Sequence, residues 1–223
     1  MTDAPPLADD ALSRLRQVKV VPVIVIDDPD DAVPLARALA EGGLSCVEIT
    51  FRTARAGEAL RRITAELPTL LAGAGTVLTP RQADEARDAG AQFVVAPGFS
   101  PAVVDHCLER GIPVFPGVCT PTEIEAALAK GLRTLKFFPA EPAGGVPFLK
   151  AIAAPYGAVQ FIPTGGISAA NLGAYLALEQ VVACGGSWMA PADWIAARQF
   201  DRIRDAARTA TETVHALMEA RAA

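Results

Sequence analysis

The sequence predicts an α/β fold in which eight parallel strands close into a (β/α)8 barrel. Three observations predict it. Short apolar runs alternate with longer, alanine-rich amphipathic stretches. Proline stands near the starts of the amphipathic stretches and glycine just past their ends, where a helix tolerates the first and favours the second. Gly90, Gly111 and Gly131 are spaced by 21 and 20 residues, the length of one strand plus one helix.

The apolar runs are Val20–Ile26, Cys46–Phe51, Leu70–Val77, Phe93–Ala96, Val114–Gly117, Thr134–Phe138, Gln160–Pro163 and Val181–Gly185. Nearly continuous apolar strands separated by helices belong to a parallel sheet covered by those helices. The helices are Asp30–Glu41, Arg55–Glu66, Pro80–Ala89, Pro101–Arg110, Pro121–Lys130, Val146–Ala153 and Ala169–Leu178. An open doubly wound sheet is the alternative arrangement of the same units. No linker, low-complexity segment or charge run interrupts the pattern. A single domain spanning 1–223 is expected, with an N-terminal helix at Ala8–Gln17 and a C-terminal helix at Asp201–Glu219 closing the two ends.

Composition narrows the function. Hydrophobic residues make up 51% of the 223 positions, enough for one buried core, and the formal net charge is −5. That balance argues against a nucleic-acid or anionic-membrane partner. The two histidines, His106 and His215, lie in helical patterns with apolar neighbours and read as structural. The four cysteines, Cys46, Cys107, Cys119 and Cys184, show no CxxC spacing, and neither HxxxH nor HExxH occurs, so no metal or other cofactor is expected. The cysteines read as reduced thiols of a cytoplasmic protein. The first residues, MTDAPPLADDALSRLRQ, lack the basic start and apolar run of a signal peptide, and no apolar stretch reaches membrane-spanning length.

Polar residues stand where the interior should be. In the second apolar run Val47, Ile49 and Phe51 share one face, so Cys46, Glu48, Thr50 and Arg52 share the other and point inward. Ionised groups in a packed barrel interior are costly unless paired. In the sixth run, Leu135 and Phe137 face one way and Lys136 the other. Lys136 alone among the four lysines lies inside an apolar strand. An amine in such a place is a nucleophile for carbonyl carbon. The plain alternative is a structural ion pair. Thr76 ends the third run in Gly73-Ala74-Gly75-Thr76, where small residues allow close approach to the backbone. GAGTVL lacks the third small residue and the following acid of a dinucleotide fingerprint. Two glycine pairs follow the last two runs, Thr164-Gly165-Gly166-Ile167-Ser168 and Cys184-Gly185-Gly186-Ser187-Trp188. Loops after the seventh and eighth strands of such barrels frequently bind phosphate through converging N–H groups.

The segments VVPVIVIDDPDDAVPLARALAEGG, VEITFRT, GAGTVLTP, FVVAPGFSP, FPGVCTPTE, LKFFPAE, PTGGIS and GGSW, in order from about Val18 to Pro191, resemble the bacterial 2-keto-3-deoxy-6-phosphogluconate (KDPG) / 4-hydroxy-2-oxoglutarate (KHG) aldolase family. The resemblance implies a metal-free class I aldolase of cytoplasmic carbohydrate metabolism, typically a homotrimer, acting on a small phosphorylated 2-keto acid. By that resemblance Lys136 is the Schiff-base lysine and Glu48 the general acid/base. Arg52 and Thr76, with Thr164 nearby, hold the substrate carboxylate. Gly165, Gly166, Gly186 and Ser187 hold its phosphate. Some relatives carry an arginine at the end of the first strand, where this chain has Ile26-Asp27. Two other functions remain open on the residues alone. One is a phosphosugar isomerase or synthase using Glu48 as base, and the other is a non-catalytic phosphometabolite-binding protein.

Overall fold

In the computed structural model, which describes residues 6–222, helix α1 (Pro6–Val18) leads into strand β1 (Val20–Ile24). A 3-10 turn (Pro29–Asp31) precedes α2 (Ala32–Glu41). Then follow β2 (Cys46–Thr50), α3 (Ala56–Glu66), β3 (Leu71–Gly75), α4 (Pro80–Asp88), β4 (Phe93–Val95) and α5 (Pro101–Glu109). The chain continues through β5 (Val114–Phe115), β6 (Gly117–Val118), α6 (Pro121–Ala129), β7 (Thr134–Phe137), α7 (Gly145–Ala153) and β8 (Gln160–Pro163). It ends with α8 (Leu172–Leu176), β9 (Cys184–Gly186), α9 (Ala192–Ala196) and α10 (Phe200–Ala222). The expected punctuation is present. Proline opens α4, α5 and α6, and Thr120 with Glu123 forms a reciprocal capping box on α6, a device worth about 0.5–2 kcal/mol.

All strand pairs are parallel. They form a six-stranded sheet ordered β5-β4-β3-β2-β1-β9 and a three-stranded sheet ordered β6-β7-β8, instead of one sheet of eight. The expected strand Val114–Gly117 is divided at Pro116, which has no N–H to give to a ladder. Its carbonyl still accepts from the Lys136 N–H at 2.9 Å. At the other seam the bridges Phe161↔Val181 and Thr164↔Gly185 join β8 to the segment that ends in β9.

Two cores lie on either side of the strands. The outer one packs Val47 and Ile49 of β2 and Leu135 and Phe137 of β7 against the helices. The inner one gathers Val21, Cys46, Leu71, Phe93, Phe115 and Ile162, and Ala11 and Leu15 of α1 close it at the amino ends of the strands. The alternation expected for the sixth apolar run is the one observed, and for the second it holds as far as Thr50; Arg52 lies past the end of β2 and is exposed, because the chain has already turned out of the strand. Helix α10 does not close the opposite end. It lies along α2, where Gly42 has no side chain: a Cβ there would meet Ala207 Cβ at 2.5 Å. The expected helix Ala169–Leu178 is only the five residues of α8, and α9 is an added element.

Candidate active site

Lys136 and Glu48 meet inside the strands. Nζ lies 3.6 Å from Glu48 Oε1, and the residues are 5% and 3% exposed. The distance is too long for a hydrogen bond. Among the described residues Glu48 Oε1 has no hydrogen-bond partner at all, an open acceptor in a dry place. Lys136 Nζ stands over the Phe138 ring, 5.2 Å from its centre. Beneath the pair the inner core leaves a space of only about 10 Å³, bordered by Leu15, Phe93, Phe115 and Thr164 among others.

The room for these side chains comes from β3. In register, Gly73 faces Glu48 and Gly75 faces Thr50. A Cβ at Gly73 would stand 2.3 Å from the Phe93 ring. The small residues of Gly73-Ala74-Gly75 therefore admit a neighbour's side chains, not a ligand. Cys46, one pleat below Glu48, is inert by the same burial, which raises its thiol far above the ordinary value, with the Glu48 carboxylate adding to the effect.

Above the pair, at the carboxyl ends of the strands, a cavity of about 340 Å³ opens. Thr164, Gly165, Gly166, Gly186, Ser187 and Arg52 all line it, so most of the residues singled out in the sequence share one wall. Thr164 borders both this cavity and the space around Lys136 and Glu48. Gly185 makes that possible, since a Cβ there would meet Thr164 Oγ1 at 2.4 Å. Thr76 is not a wall residue; it meets the cavity through Arg52, whose Nε donates to its Oγ1 at 3.4 Å. Thr76 has φ +56°, a left-handed backbone that is strained for a β-branched residue and is characteristic of functional sites. Gly165 and Gly166, at φ +101° and +82°, need the freedom that only glycine has.

Thr50 and Phe138 also line the cavity and were not singled out as site residues. Alternation along β2 placed Thr50 on the inward face, but a threonine in a strand carries no further signal. His106 and His215 stand elsewhere: His106 Nε2 lies 3.0 Å from Asp84 Oδ1 between α5 and α4, and His215 is exposed on α10. Among the described residues no three His, Cys, Asp or Glu gather as a metal ion would need. A larger hollow of about 600 Å³ lies on the outer wall among α2, α3 and α10, but no lysine lines it.

An amine beside a carboxylate, under a hollow with a guanidinium and a glycine turn, defines an enzyme of carbonyl chemistry on a parallel α/β scaffold. The family model described as "Aldolase: KDPG and KHG aldolase" matches residues 11–206. The chain belongs to the KDPG and KHG aldolase family and is a carbon–carbon lyase. It is 54% identical over 189 residues to the 2-dehydro-3-deoxy-phosphogluconate aldolase of Treponema pallidum, covering 85% of this chain and 90% of that one. It is 48% identical over 202 residues to the KHG/KDPG aldolase of Escherichia coli, covering 91% and 95%. Among solved structures it superimposes on the KDPG aldolase of Legionella pneumophila with TM-score 0.87 and 39% identity, covering 90% of this chain and 97% of that one. That relative was captured with pyruvate as a covalent carbinolamine intermediate.

Proposed function

We propose that the protein is a class I aldolase that cleaves 2-keto-3-deoxy-6-phosphogluconate to pyruvate and glyceraldehyde 3-phosphate through a Schiff base on Lys136, and 4-hydroxy-2-oxoglutarate to pyruvate and glyoxylate by the same route. The observation that carries the reading is the buried Lys136 amine 3.6 Å from a Glu48 oxygen that has no other partner among the described residues.

Nζ attacks the C2 carbonyl, and loss of water leaves an iminium. The C4 hydroxyl gives up its proton, the C3–C4 bond breaks, and its electron pair passes into the iminium to form an enamine. The aldehyde leaves. A proton returns to C3, and water adds to the iminium to release pyruvate and the free amine. Glu48 carries the protons in these steps, work worth roughly 10²–10⁴-fold in rate. Arg52 offers a planar fork to the C1 carboxylate, assisted by Thr76 and Thr164. The N–H groups of Gly165, Gly166 and Gly186 and the Ser187 hydroxyl hold the distal phosphate, so binding far from the breaking bond orients it.

On this reading the two sheets are one barrel, (β/α)8 and a single domain. Strands β5 and β6 count as one strand broken at Pro116, and the bridges at Phe161 and Thr164 form the last seam. The family resemblance supports a cytoplasmic homotrimer. Among the described residues no helix is long and apolar enough to cross a membrane.

The test is to incubate the protein with pyruvate, reduce with borohydride and map the adduct by mass spectrometry. A covalent mass gain on Lys136 is expected. An isomerase, a synthase without an imine, or a simple binding protein would give none, and no adduct would remove the aldolase reading.

A further inference from the structure

Three consecutive carbonyls of the glycine turn are held from behind. Thr164 O accepts from the Ala140 N–H at 2.8 Å and Gly165 O from the Glu141 N–H at 2.9 Å. Gly166 O accepts from Asn171 Nδ2 at 3.0 Å. Across a planar trans peptide, the C=O of one residue and the N–H of the next point in opposite directions. Holding these carbonyls turns the N–H groups of Gly165, Gly166 and Ile167 to the other side, and all three residues line the cavity. Among the described residues the N–H groups of Gly166 and Ile167 find no acceptor.

The Glu141 segment that holds Gly165 is itself tied down. Tyr175, fully buried on α8, donates its hydroxyl to Glu141 Oε1. Burial, and then this bond to a carboxylate, raise the Tyr175 hydroxyl well above the ordinary phenol range, so it remains a donor. The stem of Glu141 lies directly against Gly166: a Cβ built there would stand 2.6 Å from Glu141 Cβ. Glu141 lies ahead of α7, and Tyr175 lies on α8, the helix entered from the glycine turn. Their bond therefore joins the two arms between which the turn is gripped. The cleavage steps use neither group.

We propose that Tyr175 and Glu141 are positioning residues that hold the glycine turn as an amide nest for the substrate's phosphate, and so set the preference for phosphorylated over unphosphorylated 2-keto acids. The inference rests on the aldolase reading and deepens it.

The experiment compares wild type, Tyr175→Phe and Glu141→Gln on 2-keto-3-deoxy-6-phosphogluconate and on 4-hydroxy-2-oxoglutarate, with inorganic phosphate as inhibitor and pyruvate trapping as control. Tyr175→Phe should raise KM for the phosphorylated substrate about tenfold, the usual range for losing a hydrogen bond to a charged group. It should weaken phosphate inhibition by a similar factor. The kcat, and KM for the unphosphorylated substrate, should stay within about twofold. Glu141→Gln keeps an acceptor oxygen and should recover most of the loss. Should Tyr175→Phe fail to fold, Glu141→Ala supplies the same comparison. Equal KM rises on both substrates, or no rise on either, would overturn the positioning role. Absence of a pyruvate adduct in the wild type would instead sink the aldolase reading itself.

Discussion

Glu48 occupies the space that any side chain at residue 75 would need. A Cβ at Gly75 would lie 2.0 Å from Glu48 Oε1 and 2.7 Å from its Cδ. The carboxylate is thus aimed at Lys136 by a neighbouring strand that has been emptied for it, and the aim can be disturbed without touching either reacting group.

Gly75→Ala should therefore push Glu48 off its position. The expected result is a fall in kcat of roughly 10²-fold, since misplacing a proton-transfer group forfeits much of its contribution. Pyruvate trapping on Lys136 should persist. Steady-state kinetics beside borohydride trapping checks both, and unchanged kcat would show that Glu48 tolerates displacement.

Glu48→Gln keeps the shape and removes the proton carrier. Aldol cleavage should fall by about 10²–10⁴-fold. The Lys136 adduct with pyruvate should still form on long incubation. A rate equal to wild type would take the acid/base role away from Glu48.

Leu15→Ala tests the closure of the amino end. Leu15 is 1% exposed and packs in the inner core below the reacting pair. Truncating so buried a leucine should lower the unfolding free energy by about 2–5 kcal/mol. Urea denaturation checks it, and a loss below about 1 kcal/mol would mean that the helix contributes little to the core.

The link between α4 and α5 should show in acid. The Asp84 carboxyl is held below the ordinary carboxylate range chiefly by the His106 imidazole, whose Nε2 lies 3.0 Å from Asp84 Oδ1. A group whose folded value is depressed contributes stability that is present above its unfolded value, about 3.9, and is lost as pH falls through the folded value. Asp84→Asn should be less stable than wild type near pH 6, and the two curves should converge once the pH has fallen below the depressed folded value. Chemical denaturation across that range is the measurement; parallel curves would discount the pair.

Much of the site was legible because it follows the two-residue period of a strand. Glu48 and Lys136 stood out as charges on the face opposite Val47 and Ile49 or Leu135 and Phe137, and the structure turns them to one interior. The two glycine pairs were legible as turns in which N–H groups can converge. The division at Pro116 was foreshadowed by a proline inside an apolar run, yet only the pairing shows which neighbours it separates. The purpose of Gly73 and Gly75 was hidden, because what fills their space comes from β2 and β4. Tyr175 and Glu141 are 34 residues apart and meet only through the fold, so no spacing rule could join them. The path of α10 was misjudged because its seat on α2 depends on a residue far away in the chain: Gly42, lacking a side chain, makes room for Ala207.

Ala11 and Leu15 fill the foot of the strands, and the cavity of about 340 Å³ lies on the other side of the reacting amine. On the aldolase reading substrate enters and both fragments leave through that cavity. This imposes a queue: the aldehyde, no longer joined to the chain, has to step out first. Pyruvate, still tethered, follows once water has entered behind it.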